Sequence, residues 1–239
     1  MPALLRSALV VVAAFTLACT PRTPEVTPAP TATLPKQLRW FRSAAEYPAI
    51  TLQVYRQATA AVLARGAALP AGSWAVILDA DETVLDNSEY ERRNAIAGTS
   101  FADSTWDEWV RERSATPIAG AVPFIQAVQA AGGRIVIVTN RGENVCDDTR
   151  ANLEQVGVRG ALVLCKTVTS DKLPRFEMVR AGTAPGGGGP LTIVAWVGDN
   201  IQDFPGLTQR ARGDAALMEP FGSRWFILPN PLYGSWERL

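Results

Sequence analysis

The chain contains no histidine. That absence excludes histidine-nucleophile phosphatases, Ser-His-Asp triads, Cys-His pairs and histidine-ligated zinc sites together. Whatever chemistry the chain performs must run on carboxylates, lysine, arginine, hydroxyls or a metal held by oxygen. Cysteine is scarce, with Cys19, Cys146 and Cys165 too few for a disulfide framework. Net charge is lacking as well: 23 basic residues balance 23 acidic ones. No polyanion-binding surface follows from that balance, so long nucleic acid is not an expected partner, although local basic groups can still grip one phosphate. The longest N-terminal apolar run, Ala8 to Ala18, is too short to span a bilayer.

What is present begins with a targeting segment. Arg6 precedes the apolar run, and Cys19 follows Thr16-Leu17-Ala18. Residues 1–19 therefore read as a signal peptide with a lipobox-like end, whose Cys19 becomes the lipidated N-terminus. Thr20 is not the aspartate that retains lipoproteins at the inner membrane, so the expectation is an exported protein anchored by lipid, in the outer membrane or periplasm. Residues 20–36 are rich in proline and threonine and read as an extended tether.

The remainder, 37–239, is 203 of 239 residues, enough for one core with a small accessory lobe. Leu38 to about Ala68 is helix-friendly, with a break expected near Pro48. Five short apolar runs follow, at 74–78, 134–138, 161–164, 192–197 and 225–228, two of them opening on a polar residue (Arg134, Thr192), with the near-continuous hydrophobicity of a strand buried on both faces. Segments of helix length, such as 123–131 and 143–155, separate most of them. Strands alternating with helices predict an α/β fold, a doubly wound and mainly parallel sheet. A polar insertion with two tryptophans, at about 83–117, predicts a small helical cap, and the Gly/Pro stretch at 182–190 a surface loop.

Ligands in open α/β sheets bind beyond the carboxyl ends of the strands. The first run there delivers Asp79-Ala80-Asp81-Glu82-Thr83, the second Thr139-Asn140-Arg141, and the fourth Gly198-Asp199-Asn200 with Asp203 close behind. Each string alone is ordinary turn or cap chemistry. Together, in this order and each after its own buried run, they bring several carboxylates to one sheet edge, a costly arrangement without a cation. A hard divalent ion with oxygen ligands resolves it, and Mg²⁺ suits phosphate chemistry.

These residues resemble a known family. Asp79-x-Asp81-x-Thr83 followed by Val84-Leu85-Asp86-Asn87-Ser88 is similar to the first motif of haloacid-dehalogenase (HAD) superfamily phosphatases. Glu46-Tyr47, Trp106-Asp107-Glu108-Trp109, Asp171-Lys172 and the closing Ile227-Leu228-Pro229-Asn230 and Tyr233-Gly234-Ser235-Trp236 narrow the resemblance to bacterial class C acid phosphatases, surface lipoproteins with 5′-nucleotidase activity. The resemblance implies Asp79 as nucleophile, forming an aspartyl-phosphate, and Asp81 as general acid and base. It implies Mg²⁺ on Asp79, the Asp81 carbonyl and Asp199, with Asp203 holding a metal-bound water. Thr139, Asn140 and Lys172 would bind the phosphoryl group, and Trp106 and Tyr233 would stack a nucleobase. The implied substrate is a small phosphomonoester, a nucleoside 5′-monophosphate.

Two other readings remain at this stage: the same catalytic core acting on a non-nucleotide phosphomonoester, and a catalytically silent surface-binding lipoprotein. The residues choose neither an oligomeric state nor, for Cys146 and Cys165, between a disulfide and two buried thiols.

Overall fold

The computed structural model describes residues 33–239. The predicted leader, Cys19 and most of the tether lie outside the described residues.

The centre is a sheet of five parallel strands in the order β5-β4-β1-β6-β7, with β1 Trp74–Leu78, β4 Arg134–Gly142, β5 Leu162–Lys166, β6 Thr192–Gly198 and β7 Trp225–Ile227. All five apolar runs became strands. They are apolar on both sides because helices cover both faces of the sheet. Within β1 the alternation is still visible: Val76 and Leu78 enter one core with Tyr55, Val62, Phe124 and Leu153, while Ala75 and Ile77 enter a second with Phe176, Trp196 and Phe204. The first core is closed by α2 Glu46–Gly66, α5 Ala121–Ala130 and α6 Cys146–Gln155, and the second by α7 Leu173–Ala181.

The connection order places the site. From the central β1 the chain moves outward through β4 and β5, then returns to the other side of β1 for β6 and β7. Loops leaving β1, β4 and β6 therefore diverge over the carboxyl edge, opening a crevice at the switch in strand order.

One boundary differs from expectation. The N-terminal helical stretch breaks at Ala44, which is extended, between α1 Lys36–Ser43 and α2. Pro48 is instead the third residue of α2, in the first turn where a missing N–H removes no helical bond. Between β1 and α5 the chain forms α3 Ser88–Ala97 and α4 Asp103–Glu112, bracketed by an antiparallel pair, β2 Leu85–Asp86 with β3 Thr116–Pro117. Among the described residues no helix is long and apolar enough to cross a membrane.

Candidate active site

The site begins where β1 ends. Asp79 is held against β6 by its N–H to the Val197 carbonyl at 3.0 Å. The chain then turns tightly, with the Val84 and Leu85 N–H groups both donating to the Ala80 carbonyl at 2.9 and 2.8 Å. Glu82 sits within that turn at φ +49°, a left-handed conformation uncommon outside glycine. At the end of β6, Gly198 meets a different demand. A Cβ there would lie 2.4 Å from Asp203, so only glycine lets that carboxylate fold back under the strand end. There the Asp203 Oδ2 accepts the Asn200 N–H at 2.8 Å.

Asp79, Asp199 and Asp203 present carboxylate oxygens within 4.8 Å of one another. Lys172, only 4% exposed, places its Nζ 2.6 Å from both Asp79 Oδ1 and Asp203 Oδ1. Asp199 accepts hydrogen bonds from the Thr83 hydroxyl at 3.1 Å and from Asn230 Nδ2 at 2.8 Å. Burial lifts the carboxyl pKa of Asp79, with Lys172 opposing and Asp203 and Asp81 reinforcing the rise. Burial lifts Asp199 too, aided by the charges of Asp203 and Asp79. Lys172 is pushed down by burial, but the two carboxylates outweigh that and raise its pKa. With all four ionised, three negative charges against one positive leave two negative charges at the floor. The residues present thus fit a divalent cation in both charge and oxygen chemistry. A second acidic and sulfur grouping, Glu143 with Cys146 and Cys165, does not fit one, because the two sulfurs are joined in a disulfide.

Asp81 is held from the other side. Its Oδ1 accepts from Arg141 Nε at 2.8 Å and from Asn87 Nδ2 at 2.9 Å. The Arg141 side chain is fully buried, and its other arm donates to Asn87 Oδ1 at 3.0 Å. Trp109 Nε1 donates to the same Asn87 oxygen at 2.9 Å. Arg141 and Asn87 thus hold a predicted site residue, and sequence reasoning assigned neither of them a role. The available signal was an arginine directly after Thr139-Asn140 in a chain without histidine, where a carboxylate drawn partly out of water needs a cationic partner.

The phosphate-binding candidates divide. Asn140 lines the cavity and is braced, its Oδ1 accepting from Arg175 at 2.7 Å and its Nδ2 donating to the Ser170 carbonyl at 3.0 Å. Lys172 also lines it. Thr139 does not. It is wholly buried, and its hydroxyl accepts the Arg141 N–H at 3.1 Å. Arg175, 8% exposed, also donates to the Thr139 carbonyl and so ties the irregular end of β4 to α7.

Above this floor opens a cavity of about 800 Å³, a size suited to a small organic molecule. Trp106 and Tyr233 both line it, as does Phe101. Trp106 packs edge-on against Tyr90 at 5.2 Å, and the Arg141 guanidinium lies 5.6 Å from the Trp106 ring centre. The Tyr233 hydroxyl donates to Glu82.

Residues 8–236 match the family model for the HAD superfamily, subfamily IIIB (acid phosphatase). The chain belongs to that family. Solved structures agree: the class C acid phosphatase from Bacillus anthracis superposes with a TM-score of 0.76 at 30% identity, covering 84% of this chain and 85% of that one. The tungstate-bound structure of the Bacillus anthracis enzyme gives a TM-score of 0.74 at 29% identity, with the same coverage. Acid phosphatase 1 of Solanum lycopersicum is 28% identical over 166 residues, which are 66% of this chain and 57% of that protein. The chain therefore spans less than two thirds of that plant relative. Membership in this acid phosphatase family accounts for the α/β sheet and for carboxylates gathered at its carboxyl edge. HAD phosphatases generally use a divalent metal, and the Asp79–Asp199–Asp203 cluster suits one.

Proposed function

We propose that the chain is a Mg²⁺-dependent acid phosphatase that hydrolyses nucleoside 5′-monophosphates through an aspartyl-phosphate on Asp79. The observation that carries this reading is a single cavity with Asp79, Asp199 and Lys172 at its floor and Trp106 and Tyr233 in its walls.

In this reading an Asp79 carboxylate oxygen attacks phosphorus as the ester P–O bond breaks, splitting one displacement into two easier ones. Asp81 donates a proton to the departing alkoxide, then takes one from the water that releases phosphate from Asp79. Asp79, the Asp81 carbonyl and Asp199 would hold a divalent ion, which would neutralise charge on the phosphoryl oxygens. Lys172 and Asn140 orient those oxygens, and positioning with charge stabilisation is most of what phosphoryl transfer requires. Lys172 and the Asn200 N–H occupy Asp203, which suits it to orienting the floor rather than to direct ligation. Arg141 and Asn87 fix the Asp81 carboxyl in place. Because carboxyls carry protons readily only in acid, the rate should fall toward alkaline pH.

The aromatic walls support a nucleobase, since any base presents a face for stacking. Phosphate release from nucleoside monophosphates, p-nitrophenyl phosphate and sugar phosphates, with and without EDTA, tests the proposal. Turnover should need metal and vanish in Asp79→Asn. Trp106→Ala should raise KM for AMP far more than for p-nitrophenyl phosphate; equal effects would reduce Trp106 to packing. EDTA-resistant turnover, or activity surviving Asp79→Asn, would refute the mechanism. Preference for sugar phosphates would refute only the nucleotide assignment.

Export with lipid anchoring at Cys19 is part of the same proposal. The Cys146–Cys165 disulfide supports an oxidising compartment. Fatty-acid labelling of the wild type but not of Cys19→Ser is the expected result; label persisting in Cys19→Ser would refute it.

A further inference from the structure

Glu82 is a wholly buried carboxylate that the reaction above does not use. It adjoins Asp81, yet does not line the cavity. Burying a carboxylate is expensive unless its oxygens are taken up by donors. Here Oε1 accepts the Asn87 backbone N–H at 2.7 Å, and Oε2 accepts the Tyr233 hydroxyl from 151 residues further along the chain.

Tyr233 belongs to a C-terminal tail that folds back over the carboxyl edge after β7. Three side-chain bonds tie this tail to the catalytic loops: Asn230 to Asp199 at 2.8 Å, Ser235 to Asn200 at 2.8 Å, and Tyr233 to Glu82. The first two grip the loop after β6, whereas only the third reaches the loop after β1. Gly234 has no room for a side chain, since a Cβ would stand 2.7 Å from the Trp236 ring and 3.1 Å from Asn200. The tail is thus seated closely, with Tyr233 lining the cavity and its hydroxyl bonded to Glu82 in the loop after β1.

The geometry points to Glu82 as a positioning residue that holds the Tyr233 ring, and with it the tail, as one wall of the leaving-group cavity. This rests on the cavity being the leaving-group site. Glu82 then acts on substrate fit through Tyr233, and its effect should depend on the size of the leaving group.

A double-substitution cycle tests this on the full-length, metal-loaded enzyme. KM and kcat are measured for AMP and for glycerol phosphate in wild type, Glu82→Gln, Glu82→Ala, Tyr233→Phe and Glu82→Ala/Tyr233→Phe. Tyr233→Phe keeps the ring but frees it, and should raise KM for AMP about tenfold while leaving that for glycerol phosphate within about twofold. Glu82→Ala should raise KM for AMP at least as much, and the double variant no further than Glu82→Ala alone, because the coupled bond is lost only once. In Glu82→Gln the amide oxygen can accept the Asn87 N–H while its NH₂ donates to the Tyr233 oxygen, so KM for AMP should return to within about twofold of wild type.

An unchanged KM in Tyr233→Phe, or effects that multiply in the double variant, would overturn the assignment. If Glu82→Ala fails to fold, Tyr233→Phe and Glu82→Gln decide alone by the same criteria. If the wild type ignores AMP, the nucleotide reading fails by itself, and the cycle is run on the bulkiest leaving group that the wild type accepts.

Discussion

Breaking the Cys146–Cys165 bond should destabilise the domain by an amount set by the loop it closes. The two residues are 19 positions apart. Releasing a loop of that length returns about 11 cal/mol/K to the unfolded chain, or about 3 kcal/mol at 25 °C. For a domain near 200 residues, each kcal/mol moves Tm by about 2–4 °C, so the melting point should drop by about 6–12 °C. Scanning calorimetry of the wild type, oxidised and then refolded with reductant, measures this without changing a side chain. Cys146→Ala/Cys165→Ala should show a similar or slightly larger fall, since both residues are buried and removing sulfur leaves small voids. Thiol titration of the denatured protein should gain two groups on reduction. Two extra thiols already present before reduction, or a Tm unmoved by reductant, would refute the reasoning. The bond also joins the start of α6, just past Thr139–Arg141, to β5, just before the loop bearing Lys172, so reduction should lower activity before it unfolds the core.

Three other outcomes follow from the geometry. Arg141→Ala removes the buried partner of Asp81 and should cost about 3 kcal/mol of stability, with a fall in kcat exceeding any rise in KM; urea titration and steady-state kinetics check both. Gly198→Ala puts a methyl 2.4 Å from Asp203 and should cost about 1–3 kcal/mol while lowering metal affinity, read by calorimetric titration. Glu89 has its pKa lowered to about 2, first by hydrogen bonds from Arg92 and further by the charges of Arg92 and Arg42. Its contribution to stability is therefore full above about pH 4.5 and is lost as pH falls toward about 2. The Tm gap between wild type and Glu89→Gln should shrink across that window; solvent screening keeps it below about 1 kcal/mol even at neutral pH.

Much of the scaffold was legible because burial on both faces leaves a plain mark in the sequence. Trp74–Leu78 and its four counterparts are near-continuous apolar runs, and each became a strand of the parallel sheet. Carboxylates at the ends of those runs then had to meet at one edge, and Asp79, Asp199 and Asp203 do. Helix punctuation was less legible. Proline marks a place where a helix can begin as well as one where it must stop, and at Pro48 the first applied.

The paired residues were harder to read. Nothing in the string Asp79–Thr83 says that Glu82 turns away from the cavity while its neighbour Asp81 lines it; that follows from a left-handed residue in a tight turn. At the irregular end of β4, Asn140 and Arg141 line the cavity while Thr139 is buried behind them, a division that the string Thr139-Asn140-Arg141 does not announce.

By itself, then, the sequence determined the sheet, the edge on which the chemistry gathers and the acidic residues that gather there, because local periodicity and strand ends are properties of short stretches. Only the tertiary structure decided that Arg141 and Asn87 hold Asp81, that Cys146 meets Cys165, and that Tyr233 reaches back to Glu82. Those pairings join residues far apart in the chain, and their partners are chosen by how the strands cross and close rather than by any neighbouring residue.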